Sequence, residues 1–233
     1  MEKNLRKLKV ALSVFFLLIF SPGFFAQVPS VVRNIRINLW AELDAYPMLI
    51  PEQDDNDDQF DYPIRILKET APFIIGGMVY GWEFYYTPSD IQRNVEEILE
   101  VTEIVPADYI KTGIQYSSPW VSESRLNCWC DYRRSESQVQ NYYLWSSIQN
   151  PVVQGRGYGS VSLGFEGLRV AAKDALKNAI RDYYRNLIKN KPKAITGKVL
   201  IRQQPQIGID AGRYMVNLDF FLESGKIIQY EIY

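Results

Sequence analysis

The stretch FEGLRVAAKDALKNAIRDYYRNLIKN, Phe165 to Asn190, constrains the fold of this chain more than any other. Leu168, Ala172, Ala175, Leu176, Ala179, Tyr183 and Leu187 recur at steps of three and four, the spacing of one apolar stripe along a helix. Ala171, Ala172, Ala175 and Ala179 keep that side low, so the helix backbone can lie close against a sheet. Pro192 ends the pattern, because proline disfavours helical geometry in the residue before it. Immediately upstream, VVQGRGYGSVSLG (Val152 to Gly164) spaces its glycines as G-x-G-x-G. Strand, glycines and helix come in the order of a dinucleotide fingerprint, but its third glycine falls on Ser160, and no P-loop lysine–serine pair is present. The glycines therefore predict a strand that passes close to the helix, with no nucleotide and no other cofactor expected.

Strands are predicted around this helix. In NIRINLWAEL, Ile35, Ile37, Leu39 and Ala41 alternate with Arg36, Asn38 and Trp40, which predicts a strand with one buried face. FIIGGMVYGWEFYY, Phe73 to Tyr86, is rich in β-formers and reads as a strand pair bent at its glycines. TPSD then offers Thr87 as a cap, Pro88 at a first helical position and Asp90 in the first turn, so a short helix is predicted from Pro88 to Val101. Ile114 to Val153 reads as strand-like and aromatic, and three strands are expected over Ile195–Arg202, Arg213–Leu222 and Lys226–Ile232. The sum is an α+β protein with a mainly antiparallel β-sheet, on which one long and one short helix pack.

Charge and composition divide the chain. Lys3, Arg6, Lys7 and Lys9 precede the apolar run VALSVFFLLIF (Val10 to Phe20), the pattern of an export signal over residues 1–26. Residues 27–150 carry 9 basic against 19 acidic side chains, and residues 151–233 carry 13 against 7. This predicts an acidic, aromatic-rich β/α region followed by a basic β-α-β-β-β region, either as two units or as one continuous domain. The boundary falls in the Gly/Pro/Asn cluster of QNPVVQGRGYG. An exported chain with excess acid in its mature part is not expected to bind nucleic acid.

The chain contains no histidine. Serine and cysteine hydrolases that need an imidazole base are excluded, as are zinc sites built on histidine. SVSLG around Ser162 also lacks the first glycine of a nucleophile elbow. The acidic segment PEQDDNDDQFDYP, Pro51 to Pro63, reads as an exposed loop. Asp54, Asn56 and Asp58 imitate a calcium loop, but Gln59 stands where glycine belongs and Arg65 where glutamate belongs. No metal site is expected.

The only two cysteines, Cys128 and Cys130, stand one residue apart in RLNCWCDYRR. On a strand they share a face. Three readings compete: a pair of small buried thiols, a strained disulfide, or a weak metal site. On the long helix, Arg169, Lys173, Lys177, Arg181, Arg185 and Lys189 repeat every four residues. That row is either a solvated back face or a surface for an acidic partner or an anionic membrane. Trp120, Trp129 and Trp145 are candidates for a second interaction surface, including one for glycans.

From Gly155 to Leu222 the chain resembles the LPP20/FlgP-like exported bacterial envelope proteins. The resemblance lies in the glycine-marked strand, the alanine-rich GLRVAAKDALKNAIRDYY and the closing YMVNLDFFL. It implies an envelope or flagellar-associated component that is not an enzyme, and it brings no catalytic residue with it. Members are usually lipoproteins, and this chain lacks the cysteine that would be lipidated. The expectation is an exported, non-catalytic envelope or periplasmic protein that works through contacts with other envelope proteins. Glycan or peptidoglycan binding through exposed Trp and Tyr is the alternative.

Overall fold

A computed structural model describes residues 30–44 and 59–230. The export signal at 1–26, Asp54, Asn56 and Asp58 of the acidic loop, and the last residues of the expected third C-terminal strand lie outside them. In chain order the elements are α1 (Ser30–Arg33), β1 (Asn34–Glu42), α2 (Asp61–Val79), β2 (Trp82–Thr87), β3 (Ile98–Glu103), α3 (Asp108–Lys111), β4 (Ile114–Ser122) and β5 (Arg125–Arg133). They continue with α4 (Glu136–Trp145), β6 (Val152–Ser160), α5 (Phe165–Leu187), β7 (Ala194–Ile201), β8 (Gln206–Asp210) and β9 (Arg213–Ile228). The protein is α+β, and every strand pairing is antiparallel.

Two sheets form. The smaller has the order β1-β5-β4, and the larger runs β3-β2-β7-β9-β6, with β8 also paired to β9. As the alternation predicts, Ile35, Ile37, Leu39 and Ala41 of β1 are all buried. Between the sheets lies α2, which packs on β1 and β5 on one side and on β7 on the other. Its Phe73 stacks on Trp82 of β2, with ring centroids 4.9 Å apart. The long helix α5 covers β6 and β9 on the same face of the larger sheet. On the opposite face, Trp145 of α4 packs with Leu200 and Phe221.

The larger sheet draws β2 and β3 from before residue 150 and β6 to β9 from after it. One buried cluster runs from Ile35 to Leu222 across that boundary. The acidic and basic stretches meet in ion pairs, Glu97 with Arg181 at 3.1 Å and Glu83 with Lys198 at 3.4 Å.

Several local expectations are corrected. Phe73–Val79 belongs to α2 and is not a strand. Every residue from Thr70 to Val79 is buried, so this half of the helix has no polar side to show an amphipathic period. Pro88–Val101 does not form a helix. Asp90 accepts hydrogen bonds from the Gln92 and Arg93 amides and caps only a short 3-10 turn, Ile91–Arg93. Asn94, at φ 55°, ends that turn, and β3 then pairs along β2. Glu136–Trp145 lies within the expected strand-like stretch yet is helical, started by a capping box between Ser135 and Gln138. The closing segment Arg213–Ile228 is one strand where two were expected.

Candidate functional site

An apolar concavity lies between the start of α2 and the β4–β5 hairpin, with a volume of about 540 Å³. From the helix side, Phe60, Ile64, Leu67 and Lys68 line it at helical spacing. From the hairpin come Tyr116, Pro119, Trp120, Val121, Leu126 and Cys128. Lys68 is the only charged residue in that lining.

Two backbone features shape the groove. β4 is the outer strand of its sheet, so most of its residues stay exposed. Its register with β5 breaks between Ser117 and Trp120, where Ser118 takes φ 48° and Pro119 follows. A bulge of this kind bends an edge and re-aims the side chains beyond it. Beyond it the hairpin closes through Glu123 and Ser124, both at positive φ, in a two-residue turn. Val121 is 52 % exposed and Trp120 39 % exposed, while Leu126 and Leu67 form a buried floor. Adjoining exposed apolar side chains over an apolar floor are the usual mark of a binding surface.

Cys128 sits at this floor, and Cys130 lies next to it in the core. Both are free and buried, side by side on the inner face of β5 opposite Leu39 and Ile37 of β1. Cys128 Sγ lies 3.5 Å from the Ser117 carbonyl and 3.3 Å from that of Trp129. Burial is the main cause that pushes the Cys128 thiol up, and it pushes Cys130 from the ordinary 9.0 to about 12. Tyr116 is likewise raised to about 12 by burial. No group in the groove is activated as a nucleophile: the thiols hold their protons, and the one ammonium, on Lys68, lines the cavity with no carboxylate beside it there. The arrangement is equipped to bind apolar matter.

A chemical consequence can be measured. Cys130 is fully buried and burial pushes its thiol up, so iodoacetamide should label it far more slowly in the folded protein than an ordinary thiol. Guanidinium restores rapid labelling. Mass spectrometry that found Cys130 alkylated at the rate of a free thiol in the native state would place it outside the core. The same shifts act on stability. The folded chain holds these protons more tightly than the unfolded one, so the contribution is complete below about pH 9 and is lost as pH rises toward 12.

The three tryptophans do not form one surface. Trp120 borders the groove. Trp129, on the other face of β5, is covered by the Arg36 guanidinium 4.9 Å from its ring and lies 6.3 Å from Trp120. Trp145 is only 6 % exposed and belongs to the packing of α4 on the larger sheet. It is therefore removed from any interaction surface, while Trp120 is exposed and Trp129 half-buried beside it.

The basic row of α5 also divides. Arg169 pairs with Glu166 at 2.7 Å and Lys177 with Asp174 at 2.9 Å, while Arg181 reaches Glu97. Arg185 lies in the last turn of the helix, and Lys189 falls just beyond its end at Leu187. The glycines of β6 face α5 directly. A β-carbon on Gly155, Gly157 or Gly159 would lie about 2 Å from helix backbone atoms, at 1.9 Å from Ala175 O, 2.1 Å from Ala175 N and 2.0 Å from Gly167 O respectively. The helix fills the place that a phosphate would need.

Sequence reasoning missed the groove because Ile64, Leu67 and Lys68 of its helical wall fall between the expected loop at Pro51–Pro63 and the expected strand pair at Phe73–Tyr86, in a stretch assigned to no element. The signal was the apolar run itself, since Phe73–Val79 continues Ile64–Ala71 into a segment too long for a typical strand.

A protein of Treponema pallidum (strain Nichols), described as an uncharacterized protein, is similar to this chain. It is 27% identical over 200 residues, covering 86% of this chain and 83% of its own length. No solved structure matches. A protein-family model matches residues 22–230, through both the acidic and the basic stretch, and the chain belongs to that family.

Proposed function

We propose that the protein is an exported, non-catalytic component of the bacterial envelope that holds an apolar segment of a partner protein in the groove between α2 and β4. The observation that carries this reading is the groove itself: about 540 Å³, lined by aromatic and aliphatic side chains, with one ammonium and no activated nucleophile. Aromatic side chains are enriched in the cores of protein interfaces, where they contribute large contact area at low entropic cost. Lys68 favours a partner segment that brings a carboxylate to that end of the groove. The basic leader with its apolar run supports export, and the resemblance of Gly155–Leu222 to envelope proteins supports the compartment. The glycan alternative, through exposed Trp and Tyr, loses Trp145 to the core packing.

A photocrosslinking residue at Val121 tests the reading in cells. The expected result is one discrete adduct with an identified envelope protein, lost when Trp120→Ala and Ile64→Asp are introduced together. The same probe at the fully exposed Ile148 should give none. Equal adducts from both positions, or no adduct from Val121, would remove the support.

A further inference from the structure

A second concavity, sharing no lining residue with the groove, lies where α5 ends. Its volume is about 400 Å³, and its walls carry Arg181, Arg185, Lys189 and Lys191 against a single acid, Glu97. That acid is already engaged. Its Oε1 accepts from the Tyr86 hydroxyl at 2.6 Å and its Oε2 from Arg181 at 3.1 Å. Lys191 donates to the Ser89 carbonyl at 2.8 Å, which ties the segment after α5 to the segment after β2 and builds the far wall. Among the described residues, Arg185 and Lys189 form no ion pair, whereas Arg169, Lys177 and Arg181 do.

The helix dipole alone does not explain this cluster. Cations are favoured in the last turn of a helix, which accounts for Arg185. Lys191 lies beyond the end of α5 at Leu187, and it is drawn in by the fold around Pro192. The floor is different in character: Tyr184 and Ile195 are buried, and Ile188 flanks them. A guanidinium fork and mobile ammonium groups above an apolar floor suit a compact, multiply charged oxyanion attached to carbon.

We infer that the concavity formed by Arg185, Lys189 and Lys191 at the end of α5 binds a phosphate-bearing group. Soluble phosphoesters and phospholipid headgroups share this chemistry, and the two sources separate by experiment.

The purified protein is titrated with inorganic phosphate, followed by the phosphorus resonance. It is also sedimented with vesicles of phosphatidylglycerol and phosphatidylcholine, against phosphatidylcholine alone. Binding to one or both probes is expected, weakened at least about tenfold by Arg185→Gln with Lys189→Gln, since each cation near an anionic surface contributes on the order of a factor of five. Arg169→Gln with Lys173→Gln removes the same charge from the other end of α5 and should leave binding within about twofold. Unchanged thermal unfolding confirms that each variant is folded. Phosphate binding without vesicle retention assigns a soluble phosphoester, and vesicle retention with the same dependence on Arg185 and Lys189 assigns a lipid headgroup. Failure of both probes, or equal weakening by the two double variants, overturns the inference. Either result leaves the crosslinking test at Val121 untouched.

Discussion

Gly157→Val is expected to cost more than about 3 kcal/mol of stability and to abolish a cooperative native state in most preparations. The reason is contact with backbone. A β-carbon at Gly157 would sit 2.1 Å from Ala175 N, 2.2 Å from Ala171 O and 2.7 Å from Asp174 C. Flexible side-chain ends can yield by a few tenths of an ångström, but these atoms belong to the middle of a helix. Relief requires α5 to lift away from β6, which breaks the packing of Leu168, Ala172 and Leu176 against the larger sheet. Gly208→Ala provides the contrast, because its nearest neighbour is the flexible Met215 Cε at 3.5 Å. That variant should unfold within about 1 kcal/mol of the parent. Urea denaturation followed by circular dichroism compares the three proteins. A Gly157 variant as stable as the parent would falsify the close approach of helix and strand.

Arg134→Leu should cost about 3 kcal/mol. Arg134 is 5 % exposed, and the ion pairs of the described residues do not include it. Its guanidinium donates instead to the Val32 carbonyl at 2.7 Å and the Met78 carbonyl at 2.8 Å, and it lies over the Tyr142 ring at 4.7 Å. Met78 stands in the last turn of α2, where unpaired carbonyls form the negative end of the helix dipole. One side chain thus joins α1, the end of α2 and the face of α4. Burial lowers its pKa, yet a guanidinium stays charged at any ordinary pH. Leucine would match the burial but leave both carbonyls without a donor, and hydrogen bonds from charged groups are worth about 1.5–3 kcal/mol each. Arg134→Lys should recover part of the loss, since one ammonium cannot reach both carbonyls with the same geometry. Chemical denaturation of the three proteins measures the series. A leucine variant within about 1 kcal/mol of the parent would show that the guanidinium contributes no more than its volume.

What the amino-acid pattern makes legible, and what it hides, follows from where each element meets water. β1 and α5 each have one buried face, so hydrophobic periodicity reports them, and the alanines of α5 with the glycines of β6 announce their close packing in advance. α2 is enclosed by two sheets. Its second half carries only Thr70 as a polar residue, which marks no period, and β-formers such as Ile74, Ile75 and Val79 fill it because volume matters there more than helix propensity. β3 was misread for the opposite reason. Ile98, Leu99 and Val101 sit at spacings that fit a helix equally well, and tertiary pairing with β2 decides between them. The hairpin turns at Glu123–Ser124 and Ala211–Gly212 adopt positive φ at both positions, and only one of those four residues is glycine.

The candidate site was legible in its parts but not in its assembly. The shared face of Cys128 and Cys130 followed from strand alternation, and their burial chooses the thiol pair. That Trp120 would border a cavity and Trp145 would not depends on contacts between distant segments, which local pattern does not encode. The basic row shows the same limit. Its spacing is plain in the sequence, but the pairing of Arg181 depends on Glu97, which arrives from the segment just before β3.

The 16 residues of β9 bear β6 along one side and β7 and β8 along the other. This sets an order of assembly. The β2–β3 hairpin has no sheet to join until β7 is docked, and β7 has no neighbour on its far side until the last strand has left the ribosome or emerged from a membrane pore. Until then the buried half of α2 has only one of its two covering sheets. Contacts of such long sequence separation form slowly, so completion of the α2 environment waits on the pairing of β9.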